Sequence, residues 1–321
     1  MFSKATRSFI MKTIGLISLG LTVACSDVFA EGKKFDTSIP RTYRKTIKET
    51  GTVEKLTYDC YYYTDLTDMG VNIQPIYDET GYTIEKRDKP ISRKLNVYLP
   101  YNYTASKTYP YVFILHGITG NEDDYLRSND IKNLIDNLIA SGTVEPFIAV
   151  FPNGNSSATF ENRSFENQAG YYFFGNELIH DIIPLLESKY SVRKDRDGRA
   201  ICGFSMGGMQ TLNVGMAQCL SYFSKFGAFA AAPTSYPAAK LLSLLDKETE
   251  SAQLPITLLY ALCGTEDKVA GESHKNAVTG LEKGTKYFNT ENFYTQLVLG
   301  NHDGNVCSLG IFNFLKAAFA K

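Results

Sequence analysis

The segment Arg199 to Gly208 runs Arg-Ala-Ile-Cys-Gly-Phe-Ser-Met-Gly-Gly, so a short apolar run ends abruptly in Gly203-Phe204-Ser205-Met206-Gly207. Ala200, Ile201 and Cys202 suit a short buried strand, and Met206 to Met216 is rich in small and unbranched residues that suit a helix packed close to a sheet. A G-x-S-x-G pattern between such a strand and helix is a nucleophile elbow. The turn holds its serine at the tip in a strained conformation, and the glycines keep the neighbouring backbone clear. Ser205 is therefore the candidate nucleophile, and a strand, tight turn and helix in that order must lie within a sheet covered by helices.

The rest of the chain repeats this alternation. Tyr111 to Leu115 and Pro146 to Pro152 are continuous apolar runs separated by a helical pattern from Asn129 to Ala140. A helix is expected over Glu177 to Tyr190, with a kink at Pro184, followed by the elbow and the run Phe226 to Ala231. Strands at Ile256 to Leu262 and Phe293 to Leu299, and helices near Ser273 to Lys283 and Val306 to Phe319, close the series. Runs buried on both faces and spaced by helices predict a parallel sheet. Before them, Gly51 to Tyr63 and Arg93 to Pro100 alternate and are rich in β-branched and aromatic residues, which predicts two antiparallel strands. The polar connection Thr64 to Pro90 is long enough to predict an inserted hairpin or flap. The fold class expected is α/β, a doubly wound, mostly parallel sheet with antiparallel N-terminal strands and helices on both faces. It forms a single catalytic domain over residues 51–321.

Residues 1–30 read differently. Lys4, Arg7 and Lys12 precede an apolar run from Ile14 to Ala24 and then Val28-Phe29-Ala30, which predicts a secretory signal peptide cleaved after Ala30. The run is too short for a bilayer span, which takes about 20 residues, so no stable membrane insertion is expected. Lipoprotein anchoring at Cys25 is a minor alternative, weakened by Thr22. Residues 31–50 are polar and basic and read as a loose leader. The mature chain keeps Cys60, Cys202, Cys219, Cys263 and Cys307, an odd set that leaves at least one thiol free or paired between chains. A net charge of -1 without a basic stripe excludes a nucleic-acid footprint. With four histidines and no zinc-like spacing, no metal site is expected.

A serine nucleophile needs a base, and the base needs an orienting carboxylate, which on this kind of sheet come in the order Ser, Asp or Glu, His. Asp267 in Cys263-Gly-Thr-Glu-Asp and His302 in Gly300-Asn-His-Asp-Gly follow in that order, each just past a predicted strand. Glu266 competes with Asp267, whose shorter side chain points back more rigidly. His116 reads as structural, and His180 and His274 as helix packing. The oxyanion donors expected are the N–H groups of Met206 and of Ile118, in the loop His116 to Gly120.

As a group these residues resemble carbohydrate esterase family 1, the feruloyl and acetylxylan esterases within the esterase D-like α/β-hydrolases. The resemblance runs from about Gly51 to the C-terminus. It rests on Asn96-Val-Tyr-Leu-Pro-Tyr-Asn-Tyr, Leu115-His-Gly-Ile-Thr-Gly-Asn-Glu, Pro152-Asn-Gly, Asn176-Glu-Leu-Ile-His-Asp-Ile-Ile-Pro, the elbow, Cys263-Gly-Thr-Glu-Asp and Gly300-Asn-His-Asp. It implies an α/β-hydrolase fold and hydrolysis of acyl groups, feruloyl first and acetyl second, on plant cell-wall polysaccharide such as xylan, with no cofactor. Acyl transfer of the mycolyltransferase type and a non-catalytic binding module are the alternatives. Relatives often carry tryptophan near the histidine loop and after the His-Gly motif, whereas this chain has none and places Gly304 and Tyr125 there. Tyr125, Phe160, Tyr171 and Tyr172 are candidate substrate contacts, with Phe165 on the same loop. Covering the sheet is an equally good use for these rings.

Overall fold

The structure, a computed structural model, describes residues 35–66, 83–127, 130–250 and 252–321. The expected signal peptide and much of the expected flap lie outside them. Among the described residues one sheet holds eight strands, β1 Thr52–Cys60, β2 Ile91–Leu99, β3 Tyr111–Leu115, β4 Ile148–Pro152, β5 Arg199–Phe204, β6 Lys225–Phe229, β7 Leu258–Gly264 and β8 Phe293–Val298. Their spatial order is β1-β2-β4-β3-β5-β6-β7-β8. β1 pairs antiparallel with β2, in register Leu56 to Leu95, and β2 pairs antiparallel with β4. Every later pairing is parallel.

The apolar runs are continuous because both faces are covered. Tyr111, Phe113 and Leu115 join one core and Val112 and Ile114 the other, following the two-residue period of a strand. The second core is closed by helices α1 Asp130–Ala140 and α7 Gly304–Ala318. The first is closed by α2 Ala169–Glu177, α3 Ile183–Lys189, α4 Met206–Gln210 with its π-turn to Met216, α5 Ala238–Glu248 and α6 Gly271–Val278.

Several boundaries differ from the sequence reading for physical reasons. The helix expected over Glu177 to Tyr190 begins at Ala169 and passes through a π-turn at Leu178–Ile182 into α3. Ala169 to Glu177 is buried at almost every position, which erases the helical period. Pro184, which has no N–H to donate to the preceding turn, comes just after that π-turn, where the helical hydrogen-bond ladder is already shifted. The helix expected near Ser273 to Lys283 is α6, which stops before Gly280, a residue with φ of +102°. α5 has no counterpart in the sequence reading.

Residues 35–44 of the leader are packed on the domain. Phe35 stacks on Tyr260 with ring centroids 4.3 Å apart, and Tyr43 meets Phe312 edge-on at 5.0 Å. The carbonyl of Asp36 accepts from Asn313 Nδ2 at 2.9 Å and Gln296 Nε2 at 3.2 Å. Residues 35–44 therefore form a strap across the α7 side of the sheet. All five cysteines among the described residues are free and buried.

Candidate active site

The elbow depends on glycine at two close approaches. A Cβ on Gly207 would lie 2.2 Å from the Leu115 carbonyl oxygen, and one on Gly203 would lie 2.6 Å from the Gly207 carbonyl carbon. Ser205 sits between them at φ +58° and ψ -115°, a strained conformation for a residue with a side chain. Its N–H donates to Phe229 O at 2.9 Å, and its carbonyl accepts from Ala232 and Met209 N–H groups, each at 3.0 Å. β6 and its exit thus fix the turn that lifts Ser205 Oγ above the sheet.

His302 follows β8 and stands directly before Asp303, whose carboxylate caps α7 by accepting from the N–H groups of Asn305 and Val306. This cap anchors the histidine loop. His302 Nε2 lies 2.9 Å from Ser205 Oγ, and His302 Nδ1 lies 2.7 Å from Asp267 Oδ2. The Phe204 ring packs 4.5 Å from the imidazole. Asp267 is buried, and its Oδ1 accepts from Val269 N–H at 2.9 Å and Ala270 N–H at 2.7 Å. Cys263 Sγ lies 3.7 Å from Oδ2. Burial pushes the carboxyl up, but the Ala270 N–H, His302 and the Val269 N–H together hold it below the usual carboxylate range. Glu266 is exposed and points no carboxylate hydrogen bond at this group.

The loop after β3 lies alongside. A Cβ on Gly117 would lie 3.5 Å from Ser205 Cβ. His116 is buried, and Gly154 N–H donates to its Nε2 at 3.0 Å, so Nδ1 bears the proton and donates to Gly117 O at 2.7 Å. Burial lowers its pKa, in keeping with a neutral ring. Ile118, Met206, Met209, Tyr171, Tyr172 and Ala232 pack in one small cluster beside the elbow. Met206 opens α4, so its N–H has no acceptor inside the helix.

The other candidate contacts scatter. Tyr171 and Tyr172 reach the elbow but are almost wholly buried there. Tyr125 donates its hydroxyl to Leu115 O at 3.0 Å and packs with Phe151 in the α7 core. Phe160 covers the Arg93 guanidinium at 4.4 Å. Phe165, in contrast, is 59% exposed, two residues from Arg163, whose Nε donates to Thr119 O at 2.6 Å. A cleft of about 620 Å³ is lined among others by Pro233, Ser235, Lys268, Glu272 and Asn276. Ser205 does not line it, but the rim at Pro233 is one residue from Ala232 and Lys268 is one from Asp267.

A buried polar group on β2 went unread in the sequence. Arg93 shares strand parity with Leu95, Val97 and Leu99, so alternation alone directs it into the core.

The family model for Esterase, described as "Putative esterase", matches residues 90–286. The chain belongs to the esterase family. This esterase resembles, at 27% identity and a TM-score of 0.68, a carbohydrate esterase family 1 ferulic acid esterase from Anaeromyces mucronatus solved with ferulic acid. The match covers 89% of this chain and 97% of that one. It is 36% identical over 147 residues to endo-1,4-beta-xylanase Y of Acetivibrio thermocellus, and 33% identical over 128 residues to an endo-1,4-beta-xylanase/feruloyl esterase of Xylanibacter ruminicola. Those matches cover 42% and 36% of the esterase but only 12% and 16% of the relatives' lengths. The α/β-hydrolase fold and the carboxylic ester hydrolase class follow from these likenesses. No described helix is long and apolar enough to cross a membrane.

Proposed function

We propose that this esterase removes feruloyl groups from plant cell-wall polysaccharide such as xylan, with Ser205 as nucleophile, His302 as base and Asp267 as orienting acid. The observation that carries the reading is the unbroken hydrogen-bonded line from Ser205 Oγ through His302 to Asp267. His302 Nε2 takes the Ser205 proton as Oγ attacks the ester carbonyl, and Asp267 stabilises the resulting imidazolium. The oxyanion is held by the N–H groups of Ile118 and Met206. Collapse expels the sugar alcohol, which receives the proton from His302, and water then releases the acid from the acyl-enzyme by the same steps.

The feruloyl assignment is supported by the ferulic acid esterase likeness and by the exposed Phe165 ring on the loop tied to Thr119. The cleft between Pro233 and Asn276 is open and mixed in polarity, as suits a sugar chain on the alcohol side. Acetylxylan esterase is the second reading, favoured by one observation: Tyr171 and Tyr172 fill the space against Ile118 and Met206 and so limit the acyl group there. Residues 1–30 would direct export, checked by N-terminal sequencing of the secreted protein.

The deciding experiment compares kcat/KM for methyl ferulate and an acetylated xylo-oligosaccharide, with Ser205→Ala as blank. Preference for ferulate, lost in the variant, is expected. Preference for acetate would replace the feruloyl reading, and activity surviving in the variant would remove Ser205 from its role.

A further inference from the structure

Arg93 is fully buried together with Glu177, an arrangement that a fold does not need for stability. A buried ion pair gains little over apolar residues of similar size, because both charges lose their hydration. What the guanidinium does is specific. Its Nε donates to Glu177 Oε1 at 2.7 Å, its Nη1 to Asn155 O at 2.8 Å and its Nη2 to Asn153 O at 2.7 Å. Tyr58 also donates to Glu177, and Phe160 covers the outer face of the guanidinium. The two carbonyls flank Gly154, so the fork of one arginine sets the turn after β4.

Gly154 is the residue whose N–H donates to His116 Nε2. Its carbonyl accepts from the buried Gln210 Nε2 at 2.8 Å, which fixes the same residue from the α4 side. His116 in turn holds Gly117 O. In a planar trans peptide the N–H of Ile118 points opposite to the carbonyl of Gly117, so holding the oxygen aims the N–H. We propose that Arg93 is a positioning residue for the Ile118 oxyanion donor, acting through Asn153, Asn155, Gly154 and His116. The inference rests on the oxyanion role given to Ile118 above.

The test uses the full mature chain. Arg93→Met paired with Glu177→Leu removes both charges and leaves an apolar core, and Arg93→Lys keeps the charge but cannot grip two carbonyls. Expected for the pair is a kcat lower by about tenfold to a hundredfold with KM within about twofold, since a misplaced donor weakens the transition state more than the ground state. Arg93→Lys should show a smaller loss of the same kind. Added to His116→Ala, either change should cost little more, because both act on one path. Amide hydrogen exchange at Ile118 should accelerate in the variants while exchange at Val269 does not. An unchanged kcat in a folded variant, full additivity with His116→Ala, or unaltered Ile118 exchange overturns the proposal. If the pair does not fold, Arg93→Lys decides alone. The exchange readout needs no turnover, so a failure of the esterase reading is distinguishable from a failure of this one.

Discussion

Asp267 holds His302 with one carboxylate oxygen, 2.7 Å from Nδ1, while its other oxygen is taken by the N–H groups of Val269 and Ala270. The carboxylate is therefore fixed before the imidazole meets it, and the ring is left one tautomer, with Nε2 free to accept from Ser205. Asp267→Asn keeps the size but can hold the wrong tautomer, and a kcat loss of about 10⁴ is expected. Glu266→Gln should leave kcat within about twofold. Because the Asp267 pKa is depressed in the folded protein, its contribution to stability is present above the unfolded carboxylate value and is lost as pH falls through the folded one. The wild-type advantage in melting temperature over Asp267→Asn should accordingly shrink in acid.

His274 gives a second pH dependence with a different origin. It is buried with Nδ1 accepting from Ala231 N–H at 3.1 Å, and burial lowers its pKa to about 4. Below about pH 6.5 the unfolded chain takes up a proton that the folded chain refuses, so stability falls between about pH 6.5 and 4, by about 3 kcal/mol. His274→Asn retains an acceptor for Ala231 without titrating in this range. Melting curves from pH 7 to 4 should be flatter for the variant, and an equal slope would remove His274 as the cause.

The glycines of the loops that carry Ser205 and His302 should respond oppositely to a methyl group. At Gly207 the added Cβ meets Leu115 O at 2.2 Å, a backbone atom that cannot step aside without breaking β3 from β5. At Gly304 it meets nothing within 4 Å. Gly207→Ala is expected to cost several kcal/mol or to yield no soluble protein. Gly304→Ala, at the first position of α7, should be neutral or stabilising by up to about 0.5 kcal/mol. Denaturant unfolding of both variants checks the contrast.

The site was legible where the chemistry is local. Turn glycines mark Ser205, Asp267 and His302, and runs apolar on both faces mark the parallel strands, so strand ends and loop residues could be joined without knowing the packing. Legibility fails where burial is complete or contacts are distant. Ala169 to Glu177 has no polar face to reveal its helix, and Arg93 looks like a surface charge until its parity with Leu95 and Val97 is followed. Tyr125 and Phe160 look like exposed rings because two of the groups they meet, Cys307 and Arg93, lie far away in the chain.

Phe35, Ile39 and Tyr43 are dispersed in a polar segment for the same reason, since their partners come from β7, β8 and α7. Stacking on Tyr260 makes Phe35 the main anchor of the strap. Phe35→Ala should lower stability by about 1–2 kcal/mol, below the cost of a fully buried aromatic because the ring is only partly covered. kcat on a small ester should be unchanged, because the strap lies on the α7 face and not at the strand ends.

With the sugar chain in the cleft between Pro233 and Asn276, as proposed, the two halves of the substrate can be tested apart. A methyl ester presents only an acyl group and a methyl to the site, and cannot reach Lys268, Glu272 or Asn276. A feruloylated xylo-oligosaccharide can, and its sugar hydroxyls would exchange water for these polar side chains. Glu272→Ala with Asn276→Ala should therefore raise KM for the oligosaccharide ester by at least about tenfold, the size of one hydrogen bond, while kcat/KM for methyl ferulate stays within about twofold. Filling the cleft with Ala239→Trp should act in the same direction by exclusion. Equal effects on both esters would mean that the cleft supports Asp267 and not the sugar. No effect on either would place the sugar chain on the other side of Ser205, against the loop that carries Phe165.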